Sequence, residues 1–133
     1  MNNKKKLEIN GKSYLLTFGL KFLELLNEKY AINTPDGIPL NLGLARAYTD
    51  FEVGNPVVIR DMIVFATVTN VNRPSEEEIE EWLYSQLDDE ETSNKLFQDF
   101  FEYLKLAPGA KRFLANVEVE RGKQTVTKSN KKK

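Results

Sequence analysis

The sequence predicts a mainly α protein, a small helical bundle that opens with an N-terminal β-hairpin and is α+β by strict count. Three observations carry that prediction. Asn10-Gly11 stands between two short alternating runs, and a two-residue hairpin turn needs φ > 0 at both central positions, which Asn and Gly tolerate best. Downstream, apolar residues recur at helical spacing in segment after segment. Clusters of Gly, Pro and Asn separate those segments and stop each helix from running into the next. A chain of 133 residues suffices for one domain with a real core. The expected layout is a flexible basic N-terminus over 1–5, one domain over 6–118 and a flexible basic tail over 119–133.

The hairpin is expected at about 6–9 and 12–18, with Leu7, Ile9, Tyr14, Leu16 and Phe18 on one face. Gly19 ends the second strand, and a helix follows near 20–30 with Phe22, Leu23, Leu25, Leu26 and Tyr30 as its apolar stripe. Asn33 to Pro39 is turn chemistry throughout and reads as a loop. A second helix is expected over Leu40 to Phe51, with Leu44, Ala45, Tyr48 and Phe51 on one side. Gly54-Asn55-Pro56 combines a helix-ending Gly, an Asn N-cap and a Pro at the first helical position. The segment Val57 to Val68 is rich in β-branched residues and could form a strand; its length, its cap signals and the polar pair Arg60-Asp61 favour a buried helix. Ser75 and Glu78 form a capping box that starts the next helix, whose buried stripe is Ile79, Trp82, Leu83 and Leu87. A last strong helix spans about 91–106, stopped by Pro108-Gly109, and a short helix is expected around Ala110 to Val117.

Composition narrows the function classes. With no Cys there are no disulfides, thiol nucleophiles or Cys-zinc sites, and with no His the commonest neutral-pH base and metal ligand are missing. Catalysis would fall to carboxylates, Lys, Tyr, Ser and Thr, and the sequence is read as that of a non-enzyme. The Ser residues lack a Gly-x-Ser-x-Gly frame, and there is no Walker sequence or glycine-rich strand-to-helix turn. The acids Glu76, Glu77, Glu80, Glu81 and Asp88 to Glu91 fail the calcium-loop pattern, because no Gly lies between Pro74 and Ala107. They read as solvated helix surface, and no metal or cofactor is expected. No apolar run is long enough to span a bilayer and no signal-peptide pattern is seen, so a soluble intracellular protein is expected.

Charge is segregated along the chain. Residues 1–30 carry +3, 31–74 carry -1, 75–102 carry -10 and 103–133 carry +7, for a total of -1. An acidic centre between basic ends suits head-to-tail self-association or docking to a basic partner better than nucleic-acid binding. The aromatic content of the 91–106 helix is broader than one small core needs. Phe97, Phe100, Phe101 and Tyr103, with Trp82 and Tyr84 nearby in sequence, are therefore the candidate partner-binding residues. The bland reading of the same residues is that they close the core of a small bundle.

The order of elements resembles the tail assembly chaperone family of long-tailed siphophages that infect Gram-positive bacteria. The residues that carry the resemblance are the opening hairpin Leu7-Glu8-Ile9-Asn10-Gly11-Lys12-Ser13-Tyr14, the helix start Thr17-Phe18-Gly19-Leu20-Lys21-Phe22-Leu23, and the middle helix Gly54-Asn55-Pro56 to Thr67. Arg73-Pro74-Ser75 with its Glu-rich continuation, Trp82-Leu83 and the acidic, then aromatic helix complete it. The resemblance implies a small, mainly helical, non-enzymatic protein of phage or prophage origin. Such a protein coats the tape measure protein, a long aggregation-prone helical chain, until tail-tube subunits polymerise around it. It implies work in the cytoplasm of the infected or lysogenic host and absence from the finished virion. It also implies a possible longer form, made by ribosomal frameshift, that recruits tail-tube protein; Asn130-Lys131-Lys132-Lys133 fits an adenine-rich slippery stretch. The alternative function is that of a small nucleic-acid-associated regulatory or packaging protein using its basic ends, with a hydrolase third.

Overall fold

Alternation in the first 18 residues produces a hairpin because one face finds a core to cover. The computed structural model describes residues 3–33, 35–36, 39–40 and 42–118. Strands β1 (Lys4–Ile9) and β2 (Lys12–Thr17) pair antiparallel, with Leu7 opposite Tyr14 and Ile9 opposite Lys12. Asn10 and Gly11 take φ of 53° and 81°, the left-handed pair that the two-residue turn requires. Ile9, Tyr14, Leu16 and Phe18 are buried. β1 begins at Lys4, so Lys4 and Lys5, expected in a flexible N-terminus, instead pair with Thr17 and Leu16. β2 ends one residue before Phe18, whose N–H continues the pairing by donating to the Asn3 carbonyl at 2.8 Å.

Helix α1 (Leu20–Lys29) buries Phe22 and Leu26 on the expected stripe. The Asn33 to Pro39 segment departs from a plain loop. Its ends form two short antiparallel strands, β3 (Ile32–Asn33) and β4 (Pro39–Leu40). Leu40 therefore belongs to a strand, and α2 (Gly43–Glu52) starts three residues later than expected. Leu40 and Leu42 extend the apolar pattern backwards in sequence, but the pairing of Leu40 with Ile32 fixes an extended backbone that periodicity does not register.

Helix α3 (Val57–Ala66) is the central element. It buries Val58, Ile59, Met62, Ile63 and Ala66, and with them the carboxylate of Asp61. Of the two conformations open to this β-branched segment, the helix is the one formed. Gly54 at φ 72° ends α2, and the Asn55 side-chain oxygen accepts from the Val57 N–H at 3.1 Å. At a helix C-terminus Gly costs little in this left-handed conformation, and a polar side chain next satisfies an otherwise orphaned N–H.

Helices α4 (Glu76–Leu87) and α5 (Glu90–Leu104) form a tight pair joined at Asp88-Asp89. The capping box is present: Ser75 Oγ accepts from the Glu78 N–H at 3.1 Å, and Glu78 Oε1 accepts from the Ser75 N–H at 3.3 Å. Asp89 caps α5 by accepting from Thr92 N–H at 2.9 Å and Thr92 Oγ1 at 2.7 Å. Those two bonds, the hydroxyl's first, hold its carboxyl below the usual range. Asp89 is thus a structural cap within an acidic run that the sequence reading treats as surface charge alone. Helix α5 ends at Leu104, Gly109 turns the chain at φ 82°, and a sixth helix, α6, covers 110–118. The basic tail expected over 119–133 and the Asn130 to Lys133 stretch lie outside the described residues. Phe18, Phe22, Ile59, Met62, Ile79 and Phe100, all fully or almost fully buried, sit in one core built by the hairpin, α1, α3, α4 and α5.

Candidate functional site

Two aromatic pairs on neighbouring helices build an open groove. On α2, Tyr48 and Phe51 stand three residues apart; on α5, Phe97 and Phe101 stand four apart, so each pair shares one helix face. The faces meet: Phe51 lies 6.2 Å from Phe97 and 5.7 Å from Phe101, ring centre to centre, and Tyr48 lies 6.0 Å from Phe101. Helix α6 extends the cluster, with Phe113 at 6.1 Å from Tyr48. Edge-to-face and tilted rings at these distances attract beyond their area of contact. What stays open is a cleft of about 350 Å³ over Tyr48, Phe51, Phe97 and Phe101. It runs into a second of about 420 Å³, which shares Tyr48 and Phe101 and is closed by Leu114, Ala115 and Val117 of α6. Lys105 lies 5.1 Å over the Phe101 ring and gives the apolar floor a cationic edge.

Of the six residues proposed from sequence, Phe97 and Phe101 line this groove. Two others are core residues. Phe100 is 1% exposed and Trp82 is 8% exposed, so neither presents a ring to a partner; α4 and α5 pack face to face and take those rings inside. Tyr103 is half-buried against Phe18 at 5.8 Å and Phe100 at 5.0 Å. Burial first, then the charge of Asp99, raises its hydroxyl pKa. Tyr84 is exposed but lies elsewhere, on a small cleft with Val57, Leu83 and Leu87. Sequence reading placed Tyr48 and Phe51 on one apolar face without assigning them a partner, and it missed Phe113; the i, i+3 spacing on α2 was the available signal.

A second constellation, also unforeseen, ties α1 to α3 and reaches α2 and α4. Asp61 is almost wholly buried in α3 and uses both carboxylate oxygens: Oδ2 accepts from Lys29 Nζ and, at 3.0 Å, from Tyr30 Oη, while Oδ1 accepts from Arg60 Nε and Nη2 at 3.4 and 3.3 Å. Arg60 also reaches Glu80 on α4 at 3.4 Å. The Arg46 guanidinium lies 5.5 Å over the Tyr30 ring and bonds the buried Asp50 at 3.2 Å. Among the described residues no buried side-chain polar atom lacks a hydrogen bond. Burial, followed by the charge of Asp61 and the hydrogen bond to it, pushes the Tyr30 hydroxyl well above its ordinary value.

The Tyr30 shift has a signed consequence. The folded state holds the phenol proton more tightly than the unfolded chain does. Stabilisation from this group is therefore complete below the unfolded pKa near 10 and is lost as pH rises from there through the folded value. Denaturant unfolding of wild type and Tyr30→Phe at pH 8 and at about pH 11 checks this. The wild-type midpoint is expected to fall further between the two pH values than the variant's; equal falls would count against it.

A family model described as phage tail assembly chaperone protein, TAC, matches residues 6–118, most of the chain and all of the groove. The chain belongs to that family. This tail assembly chaperone thus has the mainly α fold, with N-terminal hairpin, expected from its sequence. Its family is one of assembly chaperones and not a class of enzymes. Among the described residues, no group of three or more acidic side chains is placed to hold a metal ion, and no helix is long and apolar enough to cross a membrane. Comparison with curated proteins and with solved structures gave no match.

Proposed function

We propose that this tail assembly chaperone binds amphipathic helical segments of the tape measure protein in the α2–α5–α6 groove and keeps that protein soluble until tail-tube subunits assemble around it. The observation that carries the reading is the open aromatic floor of Tyr48, Phe51, Phe97 and Phe101 in a protein of this family. A long amphipathic helix exposes an apolar face along its whole length, and an open groove with a soft aromatic floor accepts such faces by shape and burial without demanding one sequence. The chaperone acts in the cytoplasm of the infected or lysogenic host, helps recruit tail-tube protein through a longer frameshifted form, and is absent from the mature virion. The gene sequence tests the longer form: it requires an adenine-rich heptamer near the codons for Asn130 to Lys133 and an overlapping downstream frame.

Co-expression with the cognate tape measure protein tests the groove. Wild-type chaperone is expected to raise the soluble fraction of the tape measure protein several-fold. Phe97→Asp/Phe101→Asp is expected to return it to the level without chaperone. Since both rings are half-buried, Ala115→Trp serves as a second variant; Ala115 is exposed at the groove wall, so the indole fills the groove without emptying the core. A tape measure protein that stays equally insoluble with and without wild type would sink the reading. So would an Ala115→Trp variant that solubilises as well as wild type.

A further inference from the structure

The aromatic groove does not end at α6. Lys105 and Lys111 line both its second cleft and a further one of about 760 Å³, whose apolar floor includes Leu20, Leu106 and Pro108 and whose remaining cation is Arg112. Phe101 in turn is shared by the first two clefts. One trough therefore runs from Phe51 and Phe97 past Lys105 to Leu20, the exposed first residue of α1.

Charge is uneven along that trough. At the Phe51–Phe97 end the one charged wall residue is Glu52. The Leu20 end gathers the cations. Lys105 is paired with Glu102 at 2.9 Å, whereas Lys111 and Arg112 are exposed and make no ion pair among the described residues. Glu118, the acid of α6, stands two turns from Lys111, about 10 Å along the helix. Phe97 and Lys105 are eight residues apart on α5 and its C-cap, again about two turns or 12 Å. A helix laid along α5 thus meets aromatic floor for about two turns and cations in the next.

We propose that the groove selects its helices by charge as well as by apolar surface: its ligands are amphipathic segments whose apolar stripe gives way at one end to acidic side chains, which Lys111 and Arg112 receive beside Leu20. The inference rests on the groove reading and specifies which segments of the tape measure protein are held. Apolar burial on the aromatic floor supplies most of the attraction, while the cations fix register and reject segments with a basic end. The chain's own C-terminal stretch is the wrong occupant, because residues 119–133 carry six cations and one acid. The acidic helix α4 of a second copy is also unsuited, since its apolar stripe of Ile79, Trp82 and Leu83 is already buried. Bases of a single-stranded nucleic acid would stack on the aromatic floor, but its phosphates would run the whole trough and meet Glu52 where cations are lacking.

Fluorescence anisotropy with labelled helical peptides tests it on the full chain. The peptides share one apolar stripe and differ only in a terminal turn of Glu, Gln or Lys, placed at the N-terminus in one set and at the C-terminus in another. In about 50 mM salt, wild type is expected to bind the Glu peptide of one set about five- to tenfold more tightly than its Gln counterpart, and the Lys peptide most weakly. By about 500 mM salt the preference is expected to shrink to about twofold or less. Lys111→Glu/Arg112→Glu is expected to reverse the order and favour the Lys peptide, which loss of folding cannot do; both side chains are exposed, so circular dichroism is expected to stay unchanged. Equal binding of all peptides by wild type overturns the inference and leaves the groove reading standing. A Glu preference that survives in the double variant also overturns it, because the acids then contact another part of the surface. Displacement of the Glu peptide by polyglutamate or by a single-stranded oligonucleotide as readily as by unlabelled peptide overturns it too, since charge alone would then be read. If no peptide binds wild type, the groove reading falls and takes this inference with it.

Discussion

Asp61→Ala is expected to destabilise the protein by about 3 kcal/mol and to lower its melting temperature by about 10 °C. Asp61 is 4% exposed and accepts from Lys29, Tyr30 and Arg60, so its removal strips charge-assisted partners from three side chains on two helices. Two effects oppose the loss. Deleting the carboxylate also deletes its own desolvation cost, and the Lys29 and Arg60 side chains, 35% and 32% exposed, can turn partly to water. The Tyr30 hydroxyl has less freedom, and the methyl side chain leaves a gap where α1 meets α3. The balance lies at the low end of what breaking a buried pair costs. Asp61→Asn, which keeps the volume and some hydrogen bonding, is expected to cost less than Asp61→Ala. A cycle with Tyr30→Phe should show coupling of about 1 kcal/mol, since the two share a bond at 3.0 Å. Melting within a degree or two of wild type for Asp61→Ala would show that this cluster contributes specificity and little stability.

The same cluster marks where sequence reading stops. Asn10-Gly11 and the Ser75–Glu78 box were legible because all their partners lie within three residues, so local chemistry determines the geometry. The partners of Asp61 on α1 are 31 and 32 residues away, and nothing in the pattern around Arg60-Asp61 announces them. The α5 aromatics show the intermediate case. Phe97, Phe100 and Phe101 form a stripe too wide for one core, and that width was visible in sequence. Which ring turns inward depends on where α2 and α4 pack, and adjacent helical positions point about 100° apart. Phe100 therefore fills the core while Phe101, its neighbour, floors the groove. Leu40 failed for a related reason: an apolar residue before a helical stripe looks like another turn of helix, and only its pairing with Ile32 makes it strand.

Gly43→Ala is expected to destabilise the protein by about 2 kcal/mol net, although in most helices the same change stabilises. Gly43 is the buried first residue of α2, and its N–H donates to Asn27 Oδ1 at 3.1 Å. A Cβ there would lie 2.5 Å from that oxygen, 2.8 Å from the Asn27 backbone nitrogen and 2.9 Å from the Leu26 carbonyl carbon. The Asn27 side chain could rotate away, at the loss of the hydrogen bond. The backbone of α1 cannot, because Leu26 is fully buried and its carbonyl accepts from the Tyr30 N–H at 3.3 Å. The helices must therefore separate by several tenths of an ångström. Better helix propensity and a less flexible unfolded chain return about 1 kcal/mol; overpacking and the lost hydrogen bond cost about 3, so the clash wins. Gly54→Ala provides the contrast, since its Cβ meets nothing within 4 Å and only the φ of 72° is unfavourable, worth about 1 kcal/mol. Denaturant midpoints should rank wild type above Gly54→Ala and Gly54→Ala above Gly43→Ala; a stabilised Gly43→Ala would refute the close-approach argument. Helix α2 also carries Tyr48 and Phe51, so pushing it off α1 should misplace half of the groove floor. Solubilisation of the tape measure protein by Gly43→Ala is then expected to fall more than the loss of folded chaperone alone explains, whereas Gly54→Ala should solubilise in proportion to its folded fraction.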